Sequence, residues 1–203
     1  MRTRNALIES AAELFDREGF ETASLSMISA RAGVSSGALH FHFASKADLA
    51  DAVGQAAALR LDRITAQDAG DTLQSLIDAT HALVRALGQD AVLRAGFDLG
   101  DGVGRVSSGA GLRRAWQEWV EEVLAKADME GALAHGVSAE DAAAVVVAAT
   151  AGLESLGRHD PQWLTADSLS RFWRLLLPRV ACTSTLRPSG SGGMWRGEGP
   201  GVH

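Results

Sequence analysis

The sequence predicts an all-α protein, with a three-helix helix-turn-helix head followed by a larger helical body, about nine helices in all. Three observations predict it. Up to about Val180, apolar residues recur with helical period in nearly every segment. Gly, Ser and Asp fall between these segments, where helix caps and stops belong. No segment reads as a convincing strand.

The elements follow in order. Leu7, Ala11, Leu14 and Phe15 share one face of a first helix, which Gly19 ends as a C-cap. Ser24 caps a short second helix carrying Leu25, Ile28 and Ala32. Gly33 ends that helix, and either Ser35 or Ser36 caps a very short third one. Ser45-Lys46-Ala47-Asp48 has the form of a capping box with Asp in place of Glu. It opens a long fourth helix through Leu49, Val53, Ala57, Leu61 and Ile64. After a break at Ala69-Gly70-Asp71, a fifth helix carries the stripe Leu73 to Leu87, and Gly88 closes it. Val92, Leu93, Gly96 and Phe97 mark a short sixth helix. The Gly- and Ser-rich stretch 100–111 reads as a mobile loop. The seventh helix has a clean stripe from Leu112 through Trp116, Trp119, Val120 and Val123 to Ala127. A break spans Gly131 to Gly136. The eighth helix, Ala139 to Leu156, is apolar on nearly all sides, which requires both its own core and a partner to cover it. The ninth puts Leu169, Phe172, Trp173, Leu176 and Val180 on one side. The expected division is a DNA-binding domain at 1–46, a body at 47–182 and a disordered Gly-, Ser- and Pro-rich tail at 183–203.

Composition sets the limits. A chain of 203 residues, 46% hydrophobic, can bury a core without disulfides or metal. The lone cysteine, Cys182, excludes an internal disulfide framework or a multi-cysteine zinc site. The N-terminus lacks the apolar core and cleavage site of a signal peptide. The most apolar run, Ala142 to Ala149, is too short to span a bilayer. Together these predict a cytoplasmic protein with no membrane partner. Charge argues against nucleic acid, because the net charge is −6 and pI is near 5.5. The first fifty residues set five Lys and Arg against six Asp and Glu. Any DNA contact must therefore come from a few well-placed cations and backbone dipoles.

The head nevertheless has the plan of a helix-turn-helix. Gly33 permits the sharp turn and Val34 packs it down. The small residues Ser35, Ser36, Gly37 and Ala38 let the third helix approach a major groove. Its N-terminal amides can also face a phosphate. Arg2 and Arg4 are either a minor-groove or backbone arm, or simply a disordered terminus. In the body, Thr150 and Glu154 interrupt an apolar helix and need partners: a ligand, a cross-dimer contact or ordered water.

The run from Gly19-Phe20 through Ser24-Leu25, Ile28, Ala32-Gly33-Val34-Ser35 and Gly37-Ala38-Leu39 to His40-Phe41-His42-Phe43-Ala44-Ser45-Lys46 resembles the TetR-family head over about 40 residues. The stretches Phe41 to Ala50 and Val92-Leu93-Arg94-Ala95-Gly96, with Trp119, are similar to the γ-butyrolactone receptor branch, hormone-responsive repressors of actinomycete antibiotic genes. Some members of that branch are pseudo-receptors that sense antibiotics or their intermediates. The family usually has Tyr where this chain has His40, and the branch often has Lys where it has Ser36. The first change makes a phosphate donor pH-sensitive. The second removes about one phosphate contact from the salt dependence.

The resemblance implies site residues. Arg4, Ser24, Ser35, Ser36, Gly37, Ala38, His40, Phe41, His42 and Lys46 form the expected DNA face, with His40, His42 and Lys46 at phosphates. Leu87, Val92, Gly96, Phe97, Trp116, Trp119, Val147, Thr150, Ala151 and Glu154 form the expected ligand set. Trp119 is the one expected to stack on the ligand, Trp116 standing in the core or at the rim. Leu87, Phe97 and Val147 are equally readable as plain core. The implied partners are double-stranded operator DNA, a small apolar effector and a second copy joined through the eighth and ninth helices. No cofactor or metal is expected: His40 and His42 are two residues apart and do not share a helix face. No nucleophile elbow, phosphate loop or dinucleotide fingerprint appears, so no catalytic residue is assigned. Two other readings stay open: a pseudo-receptor, and a helical enzyme or protein-interaction module without DNA binding. The acidic charge is the best support for the latter.

Overall fold

The computed structural model describes residues 2–66, 70–99 and 109–182; the tail at 183–203 and residues 100–108 of the expected 100–111 loop lie outside them, while 109–111 belong to a helix. Nine α-helices occur among the described residues: α1 (Arg2–Glu18), α2 (Leu25–Arg31), α3 (Ser36–His42), α4 (Lys46–Thr65), α5 (Thr72–Gln89), α6 (Ala91–Asp98), α7 (Gly109–Met129), α8 (Ala139–Gly157) and α9 (Ala166–Val180). The described residues hold no strand beyond a single bridge between Leu133 and Ala181. No helix is long and apolar enough to cross a membrane, among the described residues.

The caps follow from side-chain chemistry. Ser24, Ser35 and Ser138 each accept a hydrogen bond from the third amide of the helix that follows, as does Asp71 for α5. Ser45 and Asp48 close the reciprocal capping box at the start of α4. Gly33 ends the turn between α2 and α3 at φ +67, a conformation that strains a residue carrying a Cβ. Gly88, expected to close α5, is inside it. Asp90 ends α5 and also caps α6, accepting from Val92 N at 2.9 Å and Leu93 N at 3.3 Å. The segment Pro161–Leu164, a 3-10 turn absent from the sequence reading, packs against Gly157 of α8, where a Cβ would stand 2.3 Å from Leu164 Cγ.

Helices α1 to α3 bury Leu7, Ile28 and Leu39 together, and α4 runs from this cluster into the body. Helix α6 lies across α1 and α4. It can do so because residue 96 is glycine: a Cβ there would stand 2.3 Å from Ala57 Cβ and 2.9 Å from Leu112 Cδ1. Two indoles tie the body. Trp173 on α9 donates to Thr80 Oγ1 of α5 at 2.8 Å, and Trp116 on α7 donates to Thr150 Oγ1 of α8 at 3.0 Å. Each satisfies a buried indole N–H that would be costly to leave unpaired.

Two predictions follow from this packing. Ala57 Cβ is bound to backbone and cannot swing away, so Gly96→Ala should push α4 and α6 apart. Overpacking of about 1–3 kcal/mol outweighs the roughly 1 kcal/mol gained in helix propensity. Thermal melting at matched concentration should show a lower midpoint, and a rise would contradict the close-approach reading. The second concerns His81 on α5, whose pKa is lowered from 6.5 by burial, with Asp78 opposing and Arg85 adding to the shift. A depressed folded pKa means that its contribution is present above the unfolded value and is lost as pH falls through the folded one. The melting midpoint should therefore drop as pH falls below about 6.5, and the drop should be smaller in His81→Gln.

Candidate nucleic-acid interface and effector cavity

The head presents α3 at the surface. Ser35 Oγ is engaged in capping, accepting from Ala38 N at 3.2 Å. Ser36, Gly37 and His40 are exposed, Phe41 is 85% exposed, and His42 is half-buried against the edge of Phe41. Ser24 Oγ accepts from Met27 N at 3.2 Å and lies 2.9 Å from Ser26 Oγ.

Two groups expected at DNA have contacts within the head. Arg2 and Arg4 belong to α1 rather than to an arm, and the Arg4 guanidinium lies 5.3 Å from the centre of the Phe43 ring. Lys46, expected at a phosphate, points inward. Its Nζ donates to the carbonyls of Phe20 (2.8 Å), Glu21 (3.2 Å) and Ala23 (3.1 Å) and sits 4.4 Å from the Phe20 ring centre. An ammonium has three N–H donors, and these three carbonyls occupy them. Lys46 therefore clamps the turn between α1 and α2 to the start of α4.

The acidic head acquires a physical account. Glu9 pairs with Arg60 of α4 at 2.6 Å, Asp16 pairs with Arg94 of α6 at 2.8 Å, and Glu13 pairs with Arg31. Arg94 reaches both Asp16 oxygens through Nε and also donates to Leu87 O at 2.7 Å. The Asp16 hydrogen bond raises the Arg94 pKa, so the guanidinium stays charged. Two of the α1 carboxylates thus face the body.

The body holds a cavity of about 220 Å³. Its apolar wall is Leu83, Leu87, Phe97, Trp116, Val147 and Ala151; its polar atoms belong to Arg113, Gln117, Thr150 and Glu154. Seven expected ligand residues therefore meet in one place. Three do not. Trp119 stacks behind Trp116, with ring centres 5.2 Å apart and planes at 27°, so Trp116 faces the cavity in its stead. Val92 is fully buried in the core. Gly96 serves the α4–α6 crossing. The sequence reading missed Leu83, Arg113 and Gln117. Arg113 and Gln117 flank Trp116 at helical spacing on α7, which was the available signal.

The polar atoms are matched. Thr150 Oγ1 takes the Trp116 indole N–H and lies 3.0 Å from the carbonyls of Val146 and Val147. Glu154, only 6% exposed, accepts from Arg113 Nη1 at 2.5 Å and from Arg158 Nη2 at 2.6 Å. Arg158 also pairs with Asp98 at the end of α6. Burial lowers the Arg158 pKa, with Asp16 working against that shift.

Known proteins agree with this architecture. Residues 7–53 match the profile of bacterial regulatory proteins of the tetR family. The A-factor receptor protein of Streptomyces griseus is 29% identical over 188 residues, 89% of this chain, and the chain spans 64% of that protein's length. The solved structure of CprB, a TetR family protein from S. coelicolor A3(2), has a TM-score of 0.74 at 30% identity, covering 91% of this chain and 92% of that one. A γ-butyrolactone receptor described as ArpA-like has a TM-score of 0.75 at 30% identity, covering 90% and 89%. With its head, its fold and its full-length likeness to these structures, the chain belongs to the TetR family of bacterial regulatory proteins, in the γ-butyrolactone-receptor branch.

Proposed function

We propose that this DNA-binding regulator is a homodimeric repressor that a small, largely apolar effector such as a γ-butyrolactone releases from a pseudo-palindromic operator. The observation that carries the reading is the cavity of about 220 Å³ walled by Trp116, Phe97 and Val147, with α6 between it and the head. The working division is a head at 1–46 and a body at 47–182, acting in the cytoplasm as a regulator and not as a catalyst. Ser35, Ser36, Gly37 and Ala38 meet the bases, and His40 and His42 meet phosphates. Helices α8 and α9 pair with those of a second copy; the exposed Val145, Leu156 and Leu175 support this, since apolar side chains of that size gain from cover. Two heads then address major grooves roughly 34–36 Å apart or a multiple of that. The effector acts only through its differential affinity for the DNA-bound and free shapes.

The direct test is fluorescence anisotropy of the protein on its own upstream DNA, with and without organic extract of the host culture. Specific binding abolished by extract is expected. Extract without effect would remove the receptor role, and absence of specific binding at low salt would remove the repressor. Release by an antibiotic and not by γ-butyrolactones would make the chain a pseudo-receptor.

Two substitutions probe the head. Ser36→Lys adds a cation at the exposed start of α3, so log affinity against log salt should steepen by about 0.9. An unchanged slope would place residue 36 away from the phosphates. Lys46→Met should instead lower the melting midpoint by about 3–6 °C, because three carbonyls lose their donor, and should leave the salt slope unaltered. A slope shallower by one contact would return Lys46 to the DNA face.

A further inference from the structure

Two hollows share one wall. On one side is the apolar cavity; on the other is a cleft of about 540 Å³ between the end of α1 and the body. Leu87 borders both, and the Glu154–Arg158 pair passes between them, Glu154 bordering the cavity and Arg158 the cleft. Four side chains alternate in sign along this wall: Arg113 of α7, Glu154 of α8, Arg158 just beyond α8 and Asp98 of α6. Four residues before Asp98, Arg94 holds Asp16 of α1. A line of paired charges therefore leads from the cavity to the helix that grips the head.

The cavity's other polar side chains have hydrogen-bond partners, Gln117 with Glu121 outside it. The Trp116 indole is held by Thr150, and the Thr150 hydroxyl is held by backbone carbonyls. Arg113 differs in kind. Its guanidinium carries five N–H donors in a planar fork suited to carbonyl and carboxylate oxygens. It lies 5.6 Å from the Phe97 ring centre, at the cavity wall. Taking Arg113 away from Glu154 does not strand a buried carboxylate, because Arg158 remains bonded to it. Stranding one would be prohibitive.

Building on the effector reading above, we propose that Arg113 is the specificity-determining residue of the cavity. An effector with an apolar body and a carbonyl or carboxylate oxygen binds the Arg113 fork in competition with Glu154. The released Glu154 then engages Arg158 alone and weakens the hold of Arg158 on Asp98. Helix α6 gains freedom against α1, and the head spacing changes. Arg158 is a positioning residue in this scheme, since it borders the cleft rather than the cavity.

The test uses full-length protein and three ten-carbon probes of similar bulk: decanol, γ-decalactone and decanoate. Tryptophan quenching reads binding, and anisotropy on operator DNA reads release. The lactone and the carboxylate should bind about tenfold more tightly than the alcohol, as expected for a bond to a charged donor. Arg113→Gln should remove that preference, and an unchanged helical circular dichroism spectrum shows that the variant is folded. Glu154→Gln should tighten binding of the lactone and carboxylate yet blunt their release of DNA. Equal affinities in the wild type, or a preference that survives Arg113→Gln, overturn the proposal and leave the cavity as an effector site. Failure of all three probes to bind, or binding that the cavity-filling Val147→Trp does not reduce, overturns the effector reading and the proposal with it.

Discussion

The arrangement of head and body depends on how closely α6 lies against α4. Gly96 lets the two backbones approach to a separation that one added methyl group would forbid. From that seat, α6 reaches in three directions. Arg94 grips Asp16 of α1, Phe97 closes the cavity, and Asp98 meets Arg158. A short helix held by contacts on opposite sides passes strain from one to the other instead of absorbing it, because packed interiors deform little. The head does not hang from α4 alone.

Charge placement explains how an acidic chain presents a DNA-facing surface. Glu9 and Asp16 turn toward arginines of the body, Glu13 is paired within the head, and Asp48 is used in a capping box. Exposed ion pairs of this kind contribute little stability. Their effect lies in direction, since they take negative charge away from the surface of α3. What α3 exposes is small, aromatic or imidazole-bearing.

The body shows a related economy. Tryptophan and threonine pair twice, Trp173 with Thr80 and Trp116 with Thr150, and each pair fixes an indole ring by its one polar atom. The second pair sets the orientation of a cavity wall. With Thr150 and Trp116 occupied by one another, selectivity in that cavity passes to the ion-paired end at Arg113 and Glu154.

Helical periodicity, capping serines and turn glycines are local properties, and the sequence determined them. The element order, the helix-turn-helix, the caps at Ser24 and Ser45 and the stripe of α7 were all legible because each depends on residues within about four positions of one another. The cavity was legible only in part: Thr150 and Glu154 stood out as polar breaks in an apolar helix, whereas Leu87, Phe97 and Val147 were equally readable as plain core and Trp116 as core or rim. Tertiary structure alone decided the rest. Which of two tryptophans three residues apart faces the cavity depends on the rotation of α7 against α8. Whether Lys46 points outward or inward depends on three carbonyls more than twenty positions away in the chain. That Gly96 is a packing contact, and that Asp16, Arg94, Glu154 and Arg158 lie along one seam, follows from helices distant in sequence meeting in space, for which no local pattern is required.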